Sequence, residues 1–343
     1  MTAGPWEFAW SGRLEAGWIE SRALRANRLG DPARRPVFVY LPPGYDEGPD
    51  RRYPAVYVLQ GYLGQVGMWH NRSAFRPTFP EMADRLFAAG DAPPALVVFV
   101  DAWTSLGGSQ YLDSPATGRY HSYLCEDVVP WVDGRYRTLA ARDHRGVSGH
   151  SSGGYGAMVT AMLRPDLFGG LATHAGDSLF EHCYLSDFAT VARALRDGYD
   201  GSYERFWADF RSRPAFTRPD DATLVETYAM AACYSADPDG TVRLPFDTLT
   251  GRLDPGVWDR WLAWDPVRMA PARAEALRSL RAVYVDAGRG DEYHLDLGAD
   301  AFRRELEAIG VADLRFELFD GLHGGVQHRY PIGLRYLAER LAG

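Results

Sequence analysis

Short runs rich in Val, Tyr, Phe and Leu recur along the chain, separated by stretches in which apolar residues return every three or four positions. Continuous apolar runs of this kind predict strands covered on both faces, and their alternation with helical stretches predicts a mostly parallel sheet flanked by helices. The candidate strands are residues 37–41, 55–59, 95–100, 144–148, 170–174, 282–286 and 314–318. Helical spacing marks residues 79–89, 123–132, 155–163, 299–309 and 331–341, with Leu124, Val128 and Val132 on one face. Arg164 before Pro165 and Gly310 after Ile309 supply the stop signals that helices need.

The rhythm breaks across residues 178–280, where Trp, Tyr and Phe are frequent and no strand–helix alternation is visible. Helical pieces are expected at 188–197, 203–211 and 220–233, the last opened by Pro219 and Asp220. An insertion of this size after a central strand reads as a cap or lid within one α/β domain spanning residues 1–343. Its Trp207, Tyr228, Phe246, Trp258, Trp261 and Trp264 either line a pocket or build the insertion's own core, and the second is the favoured reading.

Composition narrows the class. At 343 residues, 46% apolar and 24% charged, the chain has the make-up of an ordinary globular protein with a sizeable core. Its net charge, 37 − 45 = −8, is interspersed and argues against a nucleic-acid surface, which needs a basic stripe. No apolar run long enough to span a membrane is present, and Met1 to Trp10 lacks the basic and apolar regions of a signal peptide. Three cysteines, Cys125, Cys183 and Cys233, without a CxxC spacing, argue against a disulfide framework or a thiolate zinc site and for a reducing, cytoplasmic compartment.

The chemistry begins at Gly149-His150-Ser151-Ser152-Gly153-Gly154, a G-x-S-x-G sequence between a predicted strand and a predicted helix. A serine on so tight a corner needs flanking residues without side chains, and its place at a helix N-terminus aims unpaired N–H groups at negative charge developing beside it. A serine hydroxyl needs a base to take its proton. Of nine histidines, His323 and His328 follow a late strand; His323, on the glycine-flanked loop after 314–318, is the first choice and His328 the fallback. The acid that orients the imidazole is expected after 282–286, where Asp291 is the best candidate, with Asp286 and then Glu292 behind it. Two backbone donors complete such a site: Ser152, which follows the nucleophile, and Tyr62, which Gly61 allows the chain to present.

With those residues in order, the chain resembles the putative esterase family of α/β hydrolases, which includes esterase D, feruloyl esterases, enterochelin esterases and mycolyltransferases. The resemblance runs through Val39-Tyr40-Leu41-Pro42-Pro43-Gly44-Tyr45, Tyr53 to Leu59, Ser114-Pro115-Ala116-Thr117-Gly118, the elbow, Pro165-Asp166-Leu167-Phe168 and the Asp291 and His323 loops. It implies an α/β-hydrolase fold, Ser151 as nucleophile, Asp291 as acid, His323 as base, and an acyl-enzyme cycle without metal or organic cofactor. Relatives commonly carry His-Gly or Asp-Gly after the early strand where this chain has Gln60-Gly61, and residues 178–280 match no family motif, so the natural ester stays open.

The main expectation is a cytoplasmic serine carboxylesterase acting on a small-molecule ester, with no nucleic-acid or membrane partner and homo-oligomerisation left open. Acyl transfer to an alcohol or sugar acceptor is the close alternative, since the same machinery does both when water is excluded. A non-catalytic binding protein on a hydrolase fold is the third reading. Asp237-Pro238-Asp239-Gly240 reads as a turn rather than a calcium loop, because Thr248 stands where a closing Glu is required, and Gly107-Gly108 lacks the rest of a phosphate-binding pattern.

Overall fold

A computed structural model describes residues 8–343; the reading of the N-terminal segment as no signal peptide falls in part on residues 1–7, outside the described residues. Among the described residues there are ten strands: β1 Arg13–Glu20, β2 Arg34–Leu41, β3 Ala55–Leu59, β4 Leu96–Val100, β5 Asp113–Ser114, β6 Gly118–Arg119, β7 Arg145–His150, β8 Gly170–His174, β9 Ala282–Gly288 and β10 Leu314–Phe319. Eight form one sheet in the order β1-β2-β4-β3-β7-β8-β9-β10, and β5 and β6 make a separate short hairpin. From β4 through β10 every pairing is parallel, while β1 and β2 run antiparallel at one edge. This is an α/β-hydrolase sheet, mixed only at its rim.

The apolar strand runs place the core. Along β3 every residue is buried, with Ala55, Tyr57 and Leu59 packing to one side of the sheet and Val56 and Val58 to the other. That two-faced burial is why such strands read as unbroken apolar runs. β1 escaped the sequence reading for the opposite reason: it is an edge strand on which Ile19 is the one buried residue. The predicted Leu124, Val128 and Val132 stripe is buried, yet its helix runs as a π-helical stretch, Tyr123–Val128, into the α-helix Val129–Arg135.

Between β8 and β9 the chain is helical, with Phe188–Tyr199, Tyr203–Ser212 and Asp221–Tyr234 close to the expected pieces and Pro255–Leu262 added. Trp207, Phe246, Trp258 and Trp261 are buried, and Tyr228 and Trp264 pack partly buried against them. Phe188 joins the group, with ring centroids 4.9 Å from Phe246 and 5.5 Å from Trp261. Tyr234 continues it to Tyr155 of the helix after β7 at 5.7 Å, so the insertion shares a hydrophobic core with the sheet. Truncating one such buried ring typically costs about 3–5 kcal/mol.

The segment 237–240 closes as a turn, with the Gly240 N–H on the Asp237 carbonyl at 2.7 Å and the Asp237 carboxylate engaged by Arg243 and Arg260. Gly107 and Gly108 lie against the Tyr62 ring, which leaves no room for a Cβ at either position. Among the described residues no helix is long and apolar enough to cross a membrane.

Candidate active site

β7 delivers Ser151 to the carboxyl edge of the sheet on a strained corner, φ 58° and ψ −129°. Strain of this kind costs on the order of 1–3 kcal/mol and persists only where the surroundings impose it. Here the Ser151 N–H donates to the His174 carbonyl at 3.0 Å. The flanking glycines are sterically required: a Cβ on Gly149 would lie 2.3 Å from the Gly153 carbonyl, and one on Gly153 would lie 2.2 Å from the Leu59 oxygen. Ser152 then opens the helix Ser152–Leu163, whose first amides have no partner within the helix.

Two loops bring the other expected residues to this corner. The His323 Nε2 lies 3.0 Å from the Ser151 Oγ, and its Nδ1 lies 2.8 Å from the Asp291 Oδ2. Asp291 is buried and its second oxygen accepts the Tyr293 N–H at 2.9 Å, which locks the carboxylate. Loop is zipped to loop: the Arg289 N–H donates to the Phe319 carbonyl at 2.8 Å and the Gly290 N–H to the Gly321 carbonyl at 2.9 Å. Gly288 permits that approach, since a Cβ there would lie 2.6 Å from the Gly321 oxygen.

The remaining acid and base candidates lie elsewhere. Glu292 accepts the backbone N–H of His323 at 2.7 Å and so supports the loop rather than the ring. Asp286 belongs to a second pair, with its Oδ1 2.7 Å from the His174 Nδ1 and its Oδ2 bonded by Arg329 and Tyr284 at 2.9 and 2.8 Å. His328 is exposed, with its Nδ1 3.3 Å from the Gly325 carbonyl.

The early loop is built around Gln60, whose buried amide donates to the Gly64 carbonyl and closes the turn that presents Tyr62. Tyr62 is pinned from behind, its hydroxyl donating to the Leu106 carbonyl at 2.8 Å. Gly61 turns the chain without a positive φ, and a Cβ there would meet the His150 oxygen and Ser151 Cβ at ordinary contact distances of 3.5 and 3.7 Å. Its small size keeps the space beside the serine open; no special backbone conformation is involved.

Several site groups carried no motif. His150 stacks on His323 at a centroid distance of 4.6 Å, and its Nε2 lies 3.1 Å from the His323 carbonyl. Burial first, then the neighbouring His323 and His174, push its pKa down to about 3, which keeps that ring neutral. Asp177, on the loop after β8, accepts from the Ser152 hydroxyl, Gln110 and the Tyr184 hydroxyl at 3.0, 3.0 and 2.8 Å. The signal for Asp177 was positional, since residues just past the carboxyl ends of neighbouring parallel strands face the ligand crevice. Gln110 and Glu226 come from a loop and an inserted helix whose placement depends on long-range packing.

Above Ser151 and His323 opens a cleft of about 640 Å³. The loop of residues 61–68 forms part of its lining, and the insertion contributes Cys183, Tyr184, Ala222 and Glu226. Leu63, Met68 and Tyr293 leave apolar surface exposed at this cleft. Among the described residues no group of three or more His, Cys, Asp or Glu side chains is arranged to hold a metal ion.

Known proteins share this fold. A ferulic acid esterase structure superposes over 98% of this chain and 100% of its own with a TM-score of 0.60 at 19% identity. An S-formylglutathione hydrolase from Agrobacterium tumefaciens follows with a TM-score of 0.59, 18% identity and 98% of each chain covered. By sequence, the endo-1,4-beta-xylanase/feruloyl esterase of Xylanibacter ruminicola is 26% identical over 134 residues, 38% of this chain and 18% of that protein. An esterase of Mycobacterium tuberculosis is 28% identical over 168 residues, 47% of this chain and 34% of its own length. The matched regions thus span about a third or less of these curated relatives. The family model described as "Putative esterase" matches residues 32–335, and the chain belongs to that family.

Proposed function

We propose that this protein is a serine carboxylesterase that cleaves its ester through an acyl-enzyme. The observation that carries the reading is the unbroken line of hydrogen bonds from Ser151 through His323 to Asp291, 3.0 and 2.8 Å, at the floor of an open cleft. In the forward step the Ser151 Oγ attacks the ester carbonyl while the His323 Nε2 takes its proton, and Asp291 holds the Nδ1–H tautomer and balances the imidazolium. The Tyr62 and Ser152 amides receive the oxyanion. One such donor contributes about 2.7–4 kcal/mol to the transition state. His323 then returns its proton to the departing alcohol, and the cycle repeats with water to release the acid.

The test is direct. A fluorophosphonate should label the wild type and not Ser151→Ala, and nitrophenyl acetate should be turned over by the wild type before labelling but neither after it nor by Ser151→Ala. Product analysis with and without an added alcohol acceptor separates hydrolysis from acyl transfer. Labelling of Ser151→Ala at the wild-type rate would sink the assignment.

A further inference from the structure

The two carboxyl groups lining the cleft beside Ser151 have no basic side chain paired with them among the described residues. Glu226, on the helix Asp221–Tyr234, lines it partly buried and forms no hydrogen bond or ion pair among the described residues. A second carboxylate, Asp177, lines the same space; it is hydrogen-bonded, but by neutral groups alone. No arginine lines the cleft, and the chain has no lysine. Of the two histidines in the lining, His150 is held neutral and His323 is occupied by Asp291 and Ser151. The other titratable groups near Glu226 are Tyr62, Cys183, Tyr293 and Asp187, all uncharged or acidic, and His294 lies beyond them beside Asp187.

An uncompensated carboxylate in a half-enclosed site is unfavourable until a cation arrives. The Glu226 carboxyl reflects this: burial first, then Asp177 and Asp187, push it up to about 8 from 4.5. The lining of the cleft therefore lacks a positive charge beside Glu226, and a ligand that supplies one relieves burial and repulsion together. The exposed apolar groups Leu63 and Met68 and the Tyr184 and Tyr293 rings give the rest of such a ligand apolar and aromatic surface.

We infer that Glu226 is the specificity group of this cleft and that the ester it takes carries a protonated amine, bound by the Glu226 carboxylate while Ser151 meets the carbonyl. The inference rests on the esterase reading above and names its substrate class. Two thioacetates of matched shape test it: that of dimethylaminoethanethiol, cationic at neutral pH, and isopentyl thioacetate, in which carbon replaces the nitrogen. The readout is the ratio of their kcat/KM values, cationic over neutral, in wild type and in Glu226→Gln. Comparing the two proteins cancels both the intrinsic reactivity of the esters and any general loss in the variant.

The ratio should fall about tenfold in Glu226→Gln, the size of one charge-assisted hydrogen bond, and Glu226→Asp should keep most of it. Should the Gln variant not fold, Glu226→Leu, which also removes the carboxylate, should lower the ratio in the same way. An unchanged ratio in Glu226→Gln, or in Glu226→Leu where the Gln variant does not fold, overturns the inference while leaving the esterase reading intact. Failure of the wild type to cleave either ester, together with no fluorophosphonate label on Ser151, overturns both.

Discussion

Two His–Asp pairs of nearly the same geometry, their acids only five positions apart in the chain, are built for different ends. His323 and Asp291 meet at 2.8 Å on loops, with the imidazole partly exposed and its far nitrogen on the Ser151 hydroxyl. His174 and Asp286 meet at 2.7 Å inside the sheet, both buried, and the far nitrogen of His174 has no partner. Gly333 packs so closely against that nitrogen that a Cβ there would approach it to 2.8 Å. Burial alone would raise the Asp286 carboxyl, but His174, Arg329 and Tyr284 outweigh it and hold it below its ordinary value. The buried pair is charge-compensated structure; the rim pair faces the Ser151 hydroxyl and a cleft. Residue types and spacing make a pair, and access to a third group makes it a relay.

The register explains the arrangement. His150, His174, Asp286 and Glu317 are lateral neighbours on β7, β8, β9 and β10. Arg329 reaches across to bind both Asp286 and Glu317. This row lies directly beneath the elbow, so the carbonyl of His174 can hold Ser151 while its ring is committed to Asp286. Asp291 escapes the row because the chain runs past Gly288 and Gly290 before it turns back toward His323.

The sharpest way to break the comparison is at the bases. His323→Ala should lower kcat by on the order of 10⁴-fold or more while leaving the melt near wild type. His174→Ala should do the reverse, lowering the melting temperature by opening a buried cavity beside Asp286 and Arg329. Equal kinetic losses without a stability difference would mean that the two pairs do not have separate roles.

The acids give the next contrast. Asp291→Asn should cost on the order of 10³–10⁴-fold in kcat through the wrong imidazole tautomer. Asp286→Asn should instead destabilise by about 1.5–3 kcal/mol, because it removes the buried carboxylate that His174 and Arg329 share while Glu317 still pairs with Arg329. Denaturant melts beside steady-state assays separate the two. A larger kinetic loss from Asp286→Asn, at full folding, would move the acid role to that residue.

The smallest effect concerns His150, which bridges the two regions by stacking on His323 above the buried row. Its pKa is depressed from 6.5 to about 3, so between those values the unfolded chain takes up a proton there that the folded protein refuses. Stability is therefore whole above pH 6.5 and declines as pH falls through that window. His150→Gln should narrow the gap between melting temperatures measured at pH 7.5 and 4.5, values spanning most of the transition.

Much of this could be read from the linear chain. The strand β3 was expected at the residues where it stands, because unbroken apolar runs between turn signals have few other uses. The elbow was equally legible, since glycine on both sides of a serine between strand and helix answers a steric demand visible in sequence. The order of Ser151, Asp291 and His323 was expected from the hydrolase pattern to which the elbow belongs and from the family resemblance. β1 stayed hidden because an edge strand buries little.

What local chemistry left open was resolved by packing across the chain. Asp286 and Asp291 both follow an apolar strand, and neither carries a mark that says which histidine it will face; the choice came from strand register and from a loop zipped to its neighbour. His150, Asp177, Gln110 and Glu226 likewise reach the cleft through contacts between segments far apart in sequence. Periodicity and steric need act over a few residues and are written locally. The field around a carboxylate, and the group its partner can touch, depend on every element folded against it.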